Sequence, residues 1–288
     1  MEIITSLQNE RVKRIVKLQR KASARRAAGL TVIEGAREVS RAIENGWQPT
    51  ELWVGGPDGL AIFQGLKKSM DAGSACFQGL EDVDAVSPPR FQASEAVFSK
   101  ITYRDNPDGV LAVGSLVGKT LDELELPENP LILVAEGVEK PGNLGALLRT
   151  ADGAGADAVI VCDAATDLNN PNVIRNSIGT LFYLPIAEAT TEETLAFLKG
   201  KGIRILSAVP DAEQVYTDCD LTGPLAIAVG AEDRGLSNAW MCRRVQAQPA
   251  SKDWKIMGVK IPMLGKNDSL NVSVSAAILL YEALRQRH

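Results

Sequence analysis

A helix near the carboxyl end of the sequence constrains the fold most. From Val272 to Tyr281 the sequence carries no charge, and we predict a helix that begins at Ser269 or Leu270. The first of its two apolar stripes is formed by Val272, Ala276, Leu279, Leu280 and Ala283, and the second by Val274, Ala277, Ile278, Tyr281 and Leu284. A surface helix needs only one such stripe. We therefore expect one side to pack on the protein's own sheet and the other on a second subunit; a core helix of a monomer is the alternative.

Composition favours a cytoplasmic protein with two domains. The chain has 288 residues, of which 45% are apolar and 23% charged. No apolar run approaches the roughly 20 residues of a membrane helix, and the amino-terminal residues lack the apolar segment of a signal peptide. Because the four cysteines form no CxxC pair, we expect neither a disulfide framework nor a metal site. The single histidine is His288, which argues against histidine acid–base chemistry.

The charge distribution points to nucleic acid in spite of a net charge of −5. Between Arg11 and Arg26 the sequence holds eight basic residues and no acidic one. A local basic stripe on an acidic protein fits phosphate contact at one end of the molecule. A solvated helix face is the alternative. The candidate RNA-binding residues in this stripe are Arg11, Lys13, Arg14 and Lys17.

The order of strands and helices predicts two α/β domains. Short elements alternate over residues 1–115, including a helix over 61–72 and a strand over 74–77. Residues 116–129 are polar and contain proline, and we interpret them as a linker. Residues 130–288 alternate longer strands and helices, with apolar runs such as LILVA, AVIVC and LAIAVG. Such runs are typical of parallel strands that are covered on both faces.

The first of three polar loops at predicted strand ends spans residues 135–152. We predict Asn143 as the N-cap of a helix whose core face is formed by Leu144, Leu147, Leu148 and Ala151. Arg149 lies on another face of this helix together with Gly142 and Gly145. A guanidinium there could hold a phosphate or a hydroxyl oxygen. A salt bridge to Asp152 is the alternative.

The other two loops span residues 229–237 and 261–273. Gly230 permits close approach of a ligand to the backbone, and Glu232 could accept a proton from a hydroxyl group. Ser269 and Asn271 could orient a substrate oxygen or cap the next helix. Ile261, Met263 and Leu270 would supply apolar walls for a flat ring. Because the GxGxxG and GxxxxGK[ST] fingerprints are absent, a dehydrogenase or an NTPase is disfavoured.

Together these loops resemble the SpoU/TrmH family of RNA 2′-O-ribose methyltransferases, which belong to the SPOUT class. The motif Asn-x-Gly-x-x-x-Arg-Thr-Ala is present at 143–151, and Gly-x-Glu-x-x-Gly-Leu is present at 230–236. The third motif, Ile-Pro-Met-x-Gly-x-x-x-Ser-Leu-Asn-Val-Ser, is complete at 261–273. Residues 1–115 are similar to the family's L30e-like RNA substrate-binding domain.

The resemblance implies an α/β fold with a C-terminal parallel-sheet SPOUT domain, a deep trefoil knot, a homodimer and S-adenosylmethionine as cofactor. It implies methyl transfer to a ribose 2′-hydroxyl, with ribosomal RNA favoured over transfer RNA as the substrate. The implied catalytic residues are Asn143, Arg149, Glu232, Ser269 and Asn271. The implied cofactor-binding residues are Gly230, Ile261, Met263 and Leu270. Arg175 is a further candidate for RNA contact.

The identity of the proton acceptor stays open at this point. Accounts of the family favour the first-motif arginine, but a guanidinium stays protonated in proteins. We prefer Arg149 as an electrostatic clamp, with the proton passing to Glu232 or to solvent. A catalytically silent RNA-binding paralogue and a transfer-RNA methyltransferase are the alternative functions.

Overall fold

The computed structural model describes residues 1–56, 59–62, 64, 88–104, 106–241 and 256–288. The predicted strand over residues 74–77 and most of the predicted helix over 61–72 lie outside these ranges. Contacts divide the chain into two units. The first unit comprises Met1–Val117 and Asp167–Tyr183, and the second comprises Gly118–Thr166 and Leu184–His288. Among the described residues, no helix combines the length and the apolar character that crossing a bilayer requires.

The described residues form the following strands and α-helices. The strands are β1 (Glu2–Ile4), β2 (Leu30–Glu34), β3 (Pro49–Gly55), β4 (Arg90–Ala93), β5 (Val110–Ser115), β6 (Leu131–Glu136), β7 (Ala158–Cys162), β8 (Ile186–Ala189), β9 (Arg204–Ala208), β10 (Gln214–Val215), β11 (Leu225–Val229) and β12 (Ile256–Lys260). The helices are α1 (Glu10–Arg20), α2 (Ala22–Ala28), α3 (Ala36–Glu44), α4 (Glu95–Ile101), α5 (Pro141–Gly153), α6 (Pro171–Asn176), α7 (Thr191–Gly200) and α8 (Val272–Arg287).

The first unit contains a mixed sheet whose described strands follow the order β1-β4-β3-β5-β2. Strands β1, β4 and β3 are parallel, and β5 runs antiparallel to both β3 and β2. Helix α1 packs against β2 and α4 because Val12, Ile15 and Leu18 form a buried apolar face. Its polar and basic residues lie on the other faces of the helix.

The segment from Asp167 to Tyr183 also belongs to the first unit. Thr31 Oγ1 donates a hydrogen bond to the Asn169 carbonyl at 2.8 Å, and the buried Arg25 forms an ion pair with Asp167 at 2.6 Å. Residues 167–183, between β7 and β8, therefore pack with the amino-terminal elements. The change of unit after Val117 falls within the predicted linker, and the functional domain bounds stay a prediction.

The second unit contains a parallel sheet whose described strands follow the order β10-β12-β9-β11-β6-β7-β8. Every residue of β6, β7 and β11 is buried, as expected for strands covered on both faces. The chain runs outward from β6 to β8, and β11 later enters between β6 and β9. The α/β fold with a parallel C-terminal sheet is thereby confirmed; the trefoil knot stays a prediction.

Helix α8 buries the first of the two predicted stripes, Val272, Ala276, Leu279, Leu280 and Ala283. It packs against α5 and β11. The second stripe is only partly covered by the described residues: Val274 is 45% exposed and Tyr281 49%. The predicted start at Ser269 or Leu270 is wrong, because Asn271 caps the helix and Val272 is its first residue.

Candidate functional site

The three polar loops follow strands of the second unit at their carboxyl ends. They come after β6, β11 and β12, and β6 and β11 are direct neighbours in the sheet. Ligands of parallel α/β sheets bind at this edge, outside the carboxyl ends of the strands. The sheet order therefore places the first two motif loops side by side.

Helix α5 presents the first motif. The predicted core face is confirmed, since Leu144, Leu147, Leu148 and Ala151 are all buried. The predicted N-cap is wrong: Lys140 occupies the cap, Pro141 is the first helical residue, and Asn143 lies within the first turn. Proline suits that first position because the missing N–H would have no partner within the helix. Arg149 is exposed on another face of α5.

Asn143 and Asn271 join the first motif to the third. Asn271 Nδ2 donates a hydrogen bond to Asn143 Oδ1 at 3.3 Å. The Oδ1 atom of Asn271 meanwhile accepts hydrogen bonds from the backbone N–H of Ser273 at 3.0 Å and from its hydroxyl at 2.6 Å. Asn271 thus caps α8 and contacts the first motif with the same side chain.

The second loop folds into a tight turn between Gly230 and Gly235. The Gly235 N–H donates to the Ala231 carbonyl at 2.8 Å, and Gly235 has a φ of 64°. A Cβ on Gly230 would lie 2.1 Å from the Gly235 carbonyl carbon. The turn itself therefore requires glycine at position 230, independently of any ligand.

Two ion pairs connect the second loop to the first. Lys140 Nζ lies 2.6 Å from Glu232 Oε2, and Arg234 Nη2 lies 2.6 Å from Glu139 Oε1. The hydrogen bond to Glu232 and the negative charge of that carboxylate raise the pKa of the Lys140 ammonium above its usual value. Lys140 is therefore charged at neutral pH, and the Glu232 carboxylate has a cationic partner.

A cavity of about 220 Å³ lies between these two loops and the start of α8. Its described walls are Val138, Glu139, Lys140, Ala231, Glu232, Asp233 and Val272. Typical ligand pockets measure ~300–1,000 Å³, so the cavity holds part of a cofactor-sized molecule. Its walls combine acidic and apolar side chains with one lysine, which suits a ligand with both charged and apolar groups.

The remaining predicted residues of the third loop do not line this cavity. Ser269 and Leu270 are exposed, and Ile261 and Met263 are half-buried. Gly230 contributes to the turn beside the cavity wall without being part of it. Asn143 thus bonds Asn271 directly, and its backbone N–H donates to the carbonyl of Lys140, whose ammonium pairs with Glu232. The cofactor contacts implied for Gly230, Ile261, Met263 and Leu270 stay predictions.

The predicted RNA-binding residues lie in the first unit. Arg11 and Arg14 both contact Glu51, at 2.7 and 2.5 Å, and Lys13 pairs with Glu10. Lys17 and Arg175 are exposed, on α1 and α6 respectively. Part of the basic stripe is therefore neutralised by acidic residues of this chain.

Sequence reasoning missed Lys140, Glu136 and Ser237. With the N-cap predicted at Asn143, Lys140 was assigned to the loop before the helix, so its place at the cap was not predicted. Glu136 ends the apolar strand β6 and accepts hydrogen bonds from Ser237, which follows the second motif. A lone carboxylate at the end of a buried strand was the available signal for Glu136.

Protein-family models match both parts of this chain. The model of the SpoU rRNA methylase family matches residues 130–281, and the model of the MRM3-like substrate-binding domain matches residues 9–112. The chain is 27% identical to the 23S rRNA (guanosine(2553)-2′-O)-methyltransferase of Bacillus subtilis, with 98% of each chain covered. It is 39% identical over 173 residues to the 23S rRNA (guanosine-2′-O-)-methyltransferase of Pseudomonas putida, a match that covers 60% of this chain and 64% of that protein.

Solved structures resemble the chain over nearly its whole length. A crystal structure of an RNA 2′-O ribose methyltransferase has a TM-score of 0.76 at 39% identity and covers 99% of this chain and 98% of that one. The AdoMet-bound rRNA methyltransferase from Sinorhizobium meliloti has a TM-score of 0.81 at 26% identity, with 99% and 97% covered.

Proposed function

Because this chain belongs to the SpoU rRNA methylase family, we propose that it transfers the methyl group of S-adenosylmethionine to a ribose 2′-hydroxyl of ribosomal RNA. The observation that carries the proposal is the meeting of the three motif loops. The first loop contacts the third through Asn143 and Asn271, and it contacts the second through Lys140 and Glu232. A ribosomal RNA substrate would place the enzyme in the cytoplasm.

The side chains around the cavity suit S-adenosylmethionine. This cofactor supplies a methyl group on a positively charged sulfur, which leaves as a neutral thioether. Val138 and Val272 offer apolar contact. The carboxylates of Glu139, Glu232 and Asp233 also line the cavity, where Lys140 and Arg234 pair with them, so they could face a cationic group only by sharing it with these partners. Gly230, Ile261, Met263 and Leu270 are the residues that we propose for its adenosine part.

The protein's task is to position the 2′-hydroxyl and to help remove its proton. We assign Arg149 to the developing negative charge on the hydroxyl oxygen, because a guanidinium stabilises an oxyanion without giving up a proton. Asn143, Ser269 and Asn271 would orient the ribose. The proton passes to Glu232 or to solvent. Lys140 holds Glu232 in an ion pair, so a proton accepted by Glu232 neutralises its carboxylate and breaks this pair.

We further propose that the enzyme is a homodimer and that its first unit binds RNA. The half-exposed second stripe of α8, which includes Val274 and Tyr281, offers an apolar face for a second copy of the chain. Among the predicted RNA-binding residues, Arg11, Lys13 and Arg14 form ion pairs within the chain. We therefore propose the exposed Lys17 and Arg175 as the main RNA contacts.

Mass mapping of 2′-O-methyl groups tests the proposed reaction. Ribosomal and transfer RNA would be compared between a deletion strain and the same strain complemented with the wild-type gene. We expect one methyl group to disappear from ribosomal RNA and to return on complementation. Loss of a methyl group from transfer RNA instead would identify transfer RNA as the substrate. Unchanged methylation, together with no binding of S-adenosylmethionine in a titration, would indicate a silent RNA-binding paralogue.

A further inference from the structure

A buried carboxylate lies beneath the second motif. Glu136 is the last residue of β6, and only 7% of its surface is exposed. Its Oε1 accepts hydrogen bonds from the hydroxyls of Thr191 at 2.8 Å and Ser237 at 2.7 Å, and its Oε2 accepts one from the backbone N–H of Ser237 at 2.7 Å. A buried charge is costly unless it is hydrogen-bonded in this way.

The donors to Glu136 come from two different parts of the second unit. Ser237 directly follows the Gly-x-Glu-x-x-Gly-Leu motif, and Thr191 is the first residue of α7. The backbone N–H of Thr191 also donates to Asp163, which follows β7, at 3.0 Å. A polar network therefore links the carboxyl ends of β11, β6 and β7. Because Glu136 and Asp163 both bond Thr191 at the start of α7, the positive end of this helix dipole stabilises both carboxylates.

These contacts fix the far end of the second loop. Just before Ser237, the hydrogen bond from the Gly235 N–H to the Ala231 carbonyl closes the turn, and Leu236 is buried in the core. Ser237 is then bound twice by Glu136, and hydrogen bonds to a charged acceptor are about twice as strong as neutral ones. Glu232 lies within the turn that is held in this way.

We infer that Glu136 is a positioning residue for the reaction. It holds residues 230–237 in the conformation that receives S-adenosylmethionine, and it acts through Ser237 without touching the cofactor itself. The inference rests on the proposed function and adds to it a residue that lies outside the three family motifs. Its consequence is that loss of Glu136 weakens cofactor binding more than it slows turnover.

The substitution Glu136→Gln tests this inference. Glutamine keeps the shape of the side chain but removes its charge, and its NH2 group replaces one of the two acceptor oxygens. The hydrogen bonds to Ser237 and Thr191 therefore lose their charged acceptor. We expect the Kd for S-adenosylmethionine, measured by titration calorimetry, to rise about tenfold. We expect kcat with saturating cofactor and ribosomal RNA to stay within about twofold of the wild type, because the bound state restores the loop.

Asp157→Asn is the matched control for Glu136→Gln. Asp157 Oδ2 accepts a hydrogen bond from the backbone N–H of Leu131 at 2.7 Å, at the opposite end of the same strand β6. This variant also removes a carboxylate that bonds the second unit's sheet. We expect its melting temperature to fall and its Kd for S-adenosylmethionine to equal that of the wild type.

Ser237→Ala and Thr191→Val separate positioning from general stability. Each removes one hydroxyl that bonds Glu136 at nearly the same distance, but only Ser237 adjoins the second motif. We expect similar falls in melting temperature, a several-fold rise in Kd for Ser237→Ala, and little change in Kd for Thr191→Val. This pair decides the question even when Glu136→Gln fails to fold.

Two results would overturn the inference while leaving the proposed function in place. The first is an unchanged Kd in both Glu136→Gln and Ser237→Ala; the second is an equal rise in Kd for Ser237→Ala and Thr191→Val. A wild-type protein that binds no S-adenosylmethionine would overturn the proposed function, and the inference with it, before any variant is compared.

Discussion

Asn271 shows how one side chain can serve the fold and the candidate site together. Its Oδ1 caps α8, while its Nδ2 contacts Asn143. Capping a helix commonly contributes about 1 kcal/mol, so the geometry of this amide is stabilised by the fold before any substrate arrives. In the role that we propose for Asn271, a side chain held in this way would need little reorganisation to orient the ribose.

Replacing Arg149 by lysine tests its role as a clamp. Lysine keeps the positive charge but lacks the planar fork of N–H donors. We expect kcat to fall about tenfold or more, with an unchanged Kd for S-adenosylmethionine because Arg149 does not line the cavity. The measurement is the pH profile of methyl transfer from labelled cofactor. Arg285→Lys is the control, because Arg285 is an exposed arginine on α8 that pairs with Glu282. Unchanged turnover of Arg149→Lys at every pH would show that Arg149 does not act as a clamp.

Cys162 gives a prediction about pH. Burial raises the pKa of its thiol to about 12. At pH 8 the native thiol is therefore neutral and should resist iodoacetamide, as followed by peptide mass spectrometry, whereas protein unfolded in urea should be alkylated. Because the folded pKa lies above the unfolded one, the stability that this thiol contributes is fully present below pH 9 and is lost as the pH rises toward 12. Rapid alkylation of Cys162 in the native protein would contradict this.

At the scale of single elements, patterns predicted which residues are buried better than where an element begins. The core faces of α5 and α8 follow from apolar spacing alone. The caps do not, since Asn143 and Lys140 both precede the apolar face and Pro141 decides between them through its fixed φ. The sequence predicts a glycine-containing loop at Gly230. It does not predict that the backbone of Gly235 lies too close to Gly230 for a Cβ atom, because that depends on how the loop folds in space.

Gly230→Ala tests the demands of that turn. The new Cβ would meet backbone atoms of Gly235 at 2.1 Å, and backbone cannot move aside as a flexible side chain can. We expect the free energy of unfolding, measured in urea, to fall by about 1–3 kcal/mol. Gly142→Ala is the control, because a Cβ there meets nothing within 4 Å and alanine favours helix. Equal stability of the two variants would mean that the turn can open without cost.

The second stripe of α8 makes a prediction about assembly. Val274→Glu places a charge in the half-exposed apolar face that we assign to the dimer. We expect the wild type to have about twice the 30.8 kDa mass of the chain in light scattering and Val274→Glu to have the mass of the monomer. Leu7→Glu is the matched control, since Leu7 is also 45% exposed but lies in the first unit. A monomeric wild type would exclude this interface.

For the whole molecule, sequence reasoning predicted an α/β fold with a parallel C-terminal sheet, but it did not predict the path of the chain between the two units. The three motifs and the apolar strand runs indicate the catalytic part. The return of residues 167–183 to the first unit depends on contacts such as the ion pair of Arg25 with Asp167, which are 142 positions apart in the sequence. Neither periodicity nor spacing carries information about such a pair. The basic stripe was likewise visible, whereas its internal partner Glu51 was not.

The ion pairs of Glu51 with Arg11 and Arg14 lead to a prediction about RNA binding. Arg11 is paired with Glu51 and lies 4.7 Å from the centre of the Phe91 ring, whereas Lys17 is exposed on α1. A cation that contacts a phosphate displaces counterions, so its loss makes the salt dependence of affinity less steep by about 0.7–0.9 in the log–log slope. We expect this change for Lys17→Gln and a smaller one for Arg11→Gln, in anisotropy titrations of a labelled ribosomal RNA fragment over a series of salt concentrations.

The Kd for S-adenosylmethionine should stay the same in both variants, because the described walls of the cavity all belong to the second unit. Equal slopes for Lys17→Gln and the wild type would exclude Lys17 from the RNA-binding surface, and a larger effect of Arg11→Gln would show that RNA competes with Glu51 for the arginine.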